Sequence, residues 1–285
     1  MFQIHIPAVK AFSVKEALKL IEENGKVLNG GTDILVIAKE IGISAEKLVD
    51  ISGIEELKQI EVSAKKIVIG GAVTIDEAKN NPIIRSEFPA LVFAAEQFAS
   101  PQIRNRATWA GNIANASPAG DGMTALYAYD AVIQLRSKNG RREIPLTEFV
   151  KGVRKTELCE GEIITGIILP RGHGGEHFGS FIKVGQRKTL AISKVMVAVS
   201  ALIKAGKIKK IGIALGAVAP VILRLTEVEQ FLTGKKIDRD EAVRAGELAR
   251  QAVKAIDDIR STADYRKKVA GVIVERAILG LKSIE

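Results

Sequence analysis

The sequence predicts an α+β protein that consists of two unequal domains. Helices and strands are interspersed through the longer N-terminal part, whereas the remainder holds three strands followed by three helices. Strands followed by helices are typical of an α+β domain. Residues 171–176 are rich in Gly and His and lack an apolar pattern, so they predict a boundary between domains over residues 1–172 and 177–285.

Local signals set the elements of the N-terminal part. A capping box at Ser13–Glu16 opens a helix that runs to about Asn24, where Gly25 stops it. Asn139-Gly140, between two short apolar runs, predicts a β-hairpin. The predicted elements are, in order, a helix over 14–24, a strand over 26–28, a helix over 34–40, strands over 48–51 and 67–73, a helix opened by the capping box at 74–77, a helix over 87–98, a loop over 100–120, a helix over 122–129, and strands over 131–136, 142–144 and 162–169.

The C-terminal part has a simpler order. Apolar, strand-like runs come first and amphipathic patterns follow them. They predict strands over 178–184, 195–204 and 208–218, and helices over 226–232, 239–256 and 262–281.

The composition excludes several classes of protein. Cys159 is the single cysteine, so the chain cannot form an internal disulfide, a four-cysteine zinc site or an iron–sulfur cluster. The net charge of +9 is spread along the chain without interleaved aromatic residues, so no nucleic-acid partner is expected. No apolar run reaches the roughly 20 residues that span a bilayer, and the first ten residues do not resemble a signal peptide. We therefore expect a cytoplasmic protein.

Two glycine-bearing segments are candidate binding loops. Leu28–Ile34 contains Gly30-Gly31 and lies between a predicted strand and a predicted helix. Successive N–H groups in such a turn, followed by a helix N-terminus, can bind an anion, although a plain tight turn is the alternative. Thr108–Pro118 is long, polar and without periodicity, which is typical of a functional loop.

The familiar nucleotide and catalytic motifs are missing. The sequence contains no G-x-G-x-x-G, no G-x-x-x-x-G-K-[ST], no G-x-S-x-G and no H-E-x-x-H. His173 and His177 stand four apart, but the glycines between them make a poor helix, so a solvated linker is favoured over a metal site. We predict no catalytic side chain and no metal ligand.

Five separated motifs resemble, in order, the flavoprotein subunits of the molybdenum hydroxylase family. Lys26–Ile34 and Gln102–Asp121 resemble the first and second FAD loops of that family. The C-terminal part is similar at three further places, which are Ser180–Lys188 with Ile192-Ser193, Gly216–Pro220 and Arg260–Arg266. The family includes the medium subunits of carbon monoxide dehydrogenase and the middle domain of xanthine dehydrogenase.

This resemblance implies a fold and a function. The fold would be a vanillyl-alcohol-oxidase-type (PCMH-type) FAD-binding domain followed by a small α+β domain of the CO dehydrogenase flavoprotein type. The chain would be an FAD-dependent oxidoreductase subunit that transfers electrons. A large molybdopterin-binding subunit would hydroxylate the substrate, and a small subunit with [2Fe–2S] clusters would relay the electrons. An external acceptor, NAD⁺, a quinone or oxygen, would receive them.

The resemblance also implies which residues contact FAD. Backbone amides in both loops would hold the pyrophosphate, and Asp121 would accept hydrogen bonds from cofactor hydroxyls. Phe98 would stack on a flat ring, Ile164 would pack beside the cofactor, and Lys183 would bring a positive charge close to it. Taken alone, these residues could equally be core residues, a helix cap and a solvated lysine. The predicted set is Val27, Leu28, Asn29, Gly30, Gly31, Thr32, Asp33, Ile34, Phe98, Thr108, Ala110, Gly111, Asn112, Asp121, Ile164 and Lys183.

Two residues of the second loop depart from the family pattern. Ala110 replaces the first of two glycines, and its methyl group narrows the approach to the backbone. Trp109 stands where a smaller aliphatic residue is usual, and we expect it to cover the flavin or a subunit interface. Neither loop contains His, so non-covalent FAD is expected.

Two other functions stay open at this point. A self-sufficient flavin oxidase of the vanillyl-alcohol oxidase class would need a base over the flavin, and in some members a His for covalent attachment. A scaffold subunit without FAD is favoured only by Ala110, whereas the retained glycines and Asp121 speak against it.

Overall fold

A computed structural model of the protein describes residues 6–187 and 190–282 and confirms the α+β class. Lys188, at the end of one motif quoted above, lies outside the described residues. The strands are β1 (Ala8–Lys10), β2 (Gly25–Leu28), β3 (Lys47–Asp50), β4 (Ile60–Val62), β5 (Lys66–Gly70), β6 (Val132–Ser137), β7 (Gly140–Pro145), β8 (Val150–Gly152), β9 (Lys155–Thr156), β10 (Ile163–Pro170), β11 (Glu176–Val184), β12 (Val195–Lys204), β13 (Lys207–Gly216) and β14 (Leu223–Arg224). The helices are α1 (Val14–Glu22), α2 (Ile34–Glu40), α3 (Ile75–Asn80), α4 (Pro82–Glu87), α5 (Pro89–Gln97), α6 (Pro101–Arg104), α7 (Trp109–Asn115), α8 (Asp121–Ala128), α9 (Leu146–Phe149), α10 (Thr226–Leu232), α11 (Arg239–Ala252) and α12 (Ala263–Leu279).

A small parallel sheet opens the chain, with the strand order β1-β3-β2. Helices α1 and α2 make the crossovers that parallel neighbours require. Ser13 caps α1 by accepting a hydrogen bond from the N–H of Glu16, and the apolar face of this helix packs on Val49 of the sheet. Every residue of α2 is at least partly exposed, and Ile34 and Ile37 of this helix line the groove that is described below.

An antiparallel sheet with the order β4-β5-β10-β6-β7 forms the body of the N-terminal part. Its central strand, β10, is buried along most of its length. The β6–β7 hairpin that the sequence predicts is present, with Lys138 and Asn139 in the turn and Gly140 paired with Ser137. Apolar side chains of β5, β6 and β10 pack against α3 to α8 in one core that contains Phe88, Trp109 and Ile113.

The C-terminal part is an antiparallel sheet with the order β11-β12-β13-β14, and α10 to α12 cover one of its faces. The other face packs on α5 and α8 of the N-terminal part. Small residues make this contact close: a Cβ atom on Gly212 would overlap the carbonyl oxygen of Ala128, and the hydroxyl of Ser200 donates to the same oxygen at 2.6 Å. Phe181 and Met196 therefore belong to the core of the N-terminal part.

Several segments differ from the sequence prediction: residues 87–98 and 100–120 were predicted differently, and the prediction lacked α4, α9, β1, β4, β8, β9 and β14. The predicted helix over 87–98 is α5 over Pro89–Gln97, which starts two residues later because Phe88, with φ of −127° and ψ of 51°, is not helical and Pro89 begins the helix. The predicted loop over 100–120 contains α6 and α7, which Ser100 and Thr108 cap with their hydroxyls. Helices of four and seven residues are too short to show a readable apolar period.

The sequence predicted the positions of these helices more accurately than the residues at which they end. Helix α1 ends at Glu22 rather than at Asn24, because Asn24 takes a left-handed conformation with φ of 59° and begins the turn into β2. Helix α11 ends at Ala252 rather than at Ile256. By contrast, α2 and α10 have the predicted bounds.

The close contact between β13 and the end of α8 predicts the effect of a single added methyl group at Gly212. Gly212→Ala should lower the free energy of unfolding by about 1–3 kcal/mol, because the added carbon meets the backbone of Ala128 and cannot be accommodated by a side-chain movement. Gly152→Ala is the matched control, since its Cβ atom would lie in ordinary contact distance of Lys155 only. Chemical denaturation followed by circular dichroism measures the free energy of unfolding of both variants. Equal stability of the two variants would contradict this packing.

Candidate cofactor-binding groove

Two adjoining cavities, of about 780 and 720 Å³, form a groove along the N-terminal part. The first lies between the Leu28–Ile34 loop, α7 and the segment that precedes β10, and the second lies where the C-terminal part meets the N-terminal part. Both volumes are within the range of small-molecule and cofactor sites. The residues that line both cavities, and so mark where they join, are Asp33, Phe98, Asn115 and Arg154.

Gly30 and Asn29 hold the first loop against the second loop. A Cβ atom on Gly30 would overlap the carbonyl oxygen of Arg106, so only glycine allows this approach. The side-chain amide of Asn29 donates to the carbonyl oxygen of Gly71 at 2.8 Å and to the hydroxyl of Thr108 at 3.2 Å. Gly31 has a φ of +75°, which turns the chain into α2. The loop geometry therefore depends on residues that are distant in sequence.

The first loop presents unpaired backbone donors to the groove. No N–H group from Gly30 to Ile34 donates a hydrogen bond to any residue in the described part of the chain. All five residues line the first cavity. Consecutive free N–H groups at the start of a helix bind anions, and phosphate is their common ligand. The donor set therefore fits the diphosphate of FAD.

The second loop is a short helix rather than an open loop. The hydroxyl of Thr108 accepts the N–H of Gly111 at 3.0 Å, and its carbonyl accepts the N–H of Asn112 at 3.0 Å. These two amides, which the family resemblance assigns to the pyrophosphate, are thus occupied within the helix. The N–H groups of Trp109 and Ala110 have no acceptor among the described residues, and Ala110 lines the first cavity.

Trp109 is a core residue, so the expectation that it covers the cofactor or an interface was wrong. Its side chain is 1% exposed and lies over Gly122, where a Cβ atom would overlap the indole ring. It also contacts Phe98 edge to face, with the ring centroids 5.8 Å apart. The helical turn of α7 directs this side chain into the core. Phe98 is half-buried and lines both cavities, so the core does not account for all of its surface.

A buried ion pair joins the two parts of the chain beside the second cavity. The ammonium of Lys183 lies 2.6 Å from the carboxylate of Asp121, and the hydroxyl of Ser193 donates to the other carboxylate oxygen at 3.2 Å. Burial raises the pKa of Asp121 above its ordinary value, while Lys183 and Ser193 oppose that rise. The pair connects α8 to β11 and uses groups that the resemblance assigns to FAD contact.

The structure brings the predicted site residues together. All of them except Leu28 line one of the two cavities, with Asp121 and Lys183 in the second. The sequence reasoning did not select Asn115, Arg154 or the segment from Leu158 to Ile163, which also line the groove. Arg154 lies in the tight turn between β8 and β9 and carries no recognisable motif. Its position became apparent only from the three-dimensional arrangement.

Comparison with known protein families gives two matches. Residues 2–172 match the model of the FAD binding domain in molybdopterin dehydrogenase. Residues 180–281 match the model of the CO dehydrogenase flavoprotein C-terminal domain.

Individual proteins resemble the chain along nearly its full length. The carbon monoxide dehydrogenase medium chain of Hydrogenophaga pseudoflava is 33% identical, over 97% of this chain and 96% of its own. The glyceraldehyde dehydrogenase medium chain of Sulfolobus acidocaldarius is 29% identical, over 97% of this chain and 98% of its own. Among solved structures, a chain of the H. pseudoflava carbon monoxide dehydrogenase that lacks the Mo-pyranopterin moiety superposes with a TM-score of 0.91 at 31% identity, covering 99% of this chain and 98% of that one.

The Lys183–Asp121 pair predicts a pH-dependent loss of stability. Lys183→Met should lower the free energy of unfolding by about 3 kcal/mol at pH 8, because the buried carboxylate keeps only Ser193 as a partner. A buried acid with a raised pKa costs stability only when it is ionised, so this loss should shrink as the pH falls towards 5. Denaturation curves across that pH range measure the effect.

Two variants serve as controls for this pair. Lys204→Met changes an exposed lysine at the end of β12 and should have little effect. The double variant Asp121→Asn with Lys183→Met should recover most of the loss, because no buried charge remains. A loss that is independent of pH, or a double variant as unstable as Lys183→Met, would contradict the assigned ion pair.

Proposed function

The chain belongs to the family of FAD-binding medium subunits of the molybdenum hydroxylases, and we propose that it passes electrons through FAD from a partner subunit to an external acceptor. It carries the FAD-binding domain of that family and is an oxidoreductase subunit. The observation that carries the proposal is the row of N–H groups from Gly30 to Ile34, which have no acceptor among residues 6–187 and 190–282 and lie along a cavity of cofactor size. These groups are suited to the diphosphate.

We assign FAD contacts to the predicted residues that line the groove. The amides of the first loop and of Ala110 that have no acceptor among the described residues bind the diphosphate, and the side chains of Phe98 and Ile164 pack against flat rings. The Asp121–Lys183 pair lies within the second cavity and offers both a hydrogen-bond acceptor and a donor to cofactor hydroxyls. Leu28 is left out of this assignment, because it lines neither cavity.

The role of the protein is to bind and orient the cofactor rather than to move protons. When bound, FAD supplies the ability to take up electrons one at a time and to deliver them in pairs. The absence of His from both FAD loops favours non-covalent attachment. The buried position of the Asp121–Lys183 pair keeps two opposite charges in fixed places beside the second cavity. Such a fixed charge arrangement affects the potential of a neighbouring redox group.

The proposed context is a complex of three kinds of subunit. Relatives of the chain are medium chains of dehydrogenases that act on carbon monoxide and glyceraldehyde. A large molybdopterin subunit would hydroxylate the substrate, and a small [2Fe–2S] subunit would deliver electrons to this chain. NAD⁺, a quinone or oxygen would accept them. We also propose that the domains meet at residues 172–177 and that the complex is cytoplasmic.

One structural finding bears on membrane association. In residues 6–187 and 190–282, no helix combines the length and the apolar character that crossing a membrane requires.

A visible spectrum of the purified chain tests the proposed function. Flavin bands that pass into the supernatant after acid precipitation, with FAD identified by chromatography, are the expected result. Bands that remain with the pellet would mean covalent attachment and would favour the self-sufficient oxidase. A colourless protein that does not take up added FAD would favour the scaffold subunit instead. Hydroxylation of a substrate by the chain alone would also contradict the proposal.

A glycine substitution tests the part played by the first loop. Gly30→Ala should weaken FAD binding at least tenfold, because its methyl group would meet the carbonyl of Arg106 and move the loop away from α7. Gly280→Ala adds the same methyl group at a residue that lines neither cavity, where it would meet no described residue within 4 Å beyond its own helix and chain neighbours, and should bind FAD like the wild type. Titration by flavin fluorescence measures both affinities. Equal affinities would show that the loop contact is not needed for the cofactor.

A further inference from the structure

Arg154 occupies the place where the two cavities of the groove join. It lies in the turn between β8 and β9, far in sequence from both FAD loops, and it lines both cavities. Asp33 of the first loop lines both cavities as well. Arg154, which is exposed, and Asp33 therefore both border the place where the cavities join.

The guanidinium of Arg154 has no partner in the described part of the chain. It makes no hydrogen bond and no ion pair with a described residue. Two charged residues near it in the chain are paired: Lys151 of β8 lies 3.6 Å from the carboxylate of Glu157, and Glu162 binds Arg142 of β7 at 2.8 Å. An arginine that faces a cavity without a partner is available to a ligand, and its planar donors suit phosphate oxygens.

The backbone at Arg154 is in a conformation that glycine or asparagine would adopt more easily. Its φ is +56°, in the left-handed region, and its N–H donates to the carbonyl oxygen of Ala116 at 3.1 Å. Ala116, which ends α7, is left-handed too, with a φ of 47°. A left-handed residue other than glycine costs about 1 kcal/mol. The fold thus holds Arg154 at the end of α7 in spite of the free-energy cost of its left-handed backbone conformation.

The charged side chains in the wall of the first cavity indicate which ligand group Arg154 suits. The charged side chains in its wall are Lys26, Asp33, Arg154, Glu160 and Glu162. Two cations thus face three carboxylates, one of which, that of Glu162, is neutralised by Arg142. The diphosphate of FAD adds two negative charges to this wall. Backbone N–H groups carry only partial charges, whereas Lys26 and Arg154, which make no ion pair with a described residue, offer full charges that can offset the repulsion from Asp33 and Glu160.

We propose that Arg154 is an FAD-binding residue whose guanidinium contacts the diphosphate of the cofactor. This assignment rests on the proposed function and adds to it a residue from a third segment of the chain, beside the two FAD loops. The loops supply oriented backbone donors, and Arg154 adds a full positive charge where the two cavities join.

Binding of FAD and of ADP to the flavin-free chain tests this assignment, because ADP carries the diphosphate without the flavin. Arg154→Gln should weaken the binding of both ligands at least tenfold, and Arg154→Lys should restore part of the affinity. Lys155→Gln is the matched control, since Lys155 is exposed on the same hairpin and lines neither cavity. It should bind both ligands like the wild type. Isothermal titration gives the affinities.

A second variant separates binding from folding. Arg154→Gly removes the charge and relaxes the left-handed backbone, so it should unfold at no lower temperature than the wild type while it still binds both ligands weakly. Wild-type affinity of Arg154→Gln and Arg154→Gly for FAD would overturn the assignment. Weakened FAD binding with unchanged ADP binding would also overturn it, since the contact would then be with another part of the cofactor. A wild-type chain that binds neither ligand would instead contradict the proposed function itself.

Discussion

The groove depends on one close contact, between the backbone of Gly30 and the backbone of Arg106. This contact places the start of α2 beside the start of α7, and Asn29 fixes it with hydrogen bonds to Gly71 and Thr108. Since the donors of the first loop lie in the wall that this contact creates, their direction is set by packing and not by the loop itself. A binding loop that is fixed before the ligand arrives loses less conformational entropy on binding.

The C-terminal part completes the groove because it cannot move freely against the N-terminal part. Its sheet lies directly on α5 and α8, with Gly212 against Ala128, and Lys183 reaches across to Asp121. A buried ion pair contributes little net stability, yet removing one partner leaves a charge without compensation. The pair thus favours one relative position of the two parts. The second cavity lies beside this junction, so its shape follows from the same packing.

Local sequence signals predicted the elements that caps and turns define, such as the helix after Thr74 and the hairpin at Asn139-Gly140. They did not predict α7, because a seven-residue helix with one hydroxyl cap has too few turns to show a period. Most of the candidate site came from the resemblance, and the structure gathered it around one groove. The pairing of Asp121 with Lys183 spans 62 residues, and Arg154 lies on a separate hairpin, so neither relation has a signal in the local sequence.

Amide hydrogen exchange with and without FAD tests most directly whether the first loop binds the diphosphate. The N–H groups from Gly30 to Ile34 have no acceptor in the described part of the chain, so they should exchange rapidly in the flavin-free protein. Bound FAD should protect them strongly, and it should leave the exposed β6–β7 turn at Lys138-Asn139 unchanged. Unchanged exchange at Gly30–Ile34 in a chain saturated with FAD would contradict the account, because the cofactor would then be bound elsewhere.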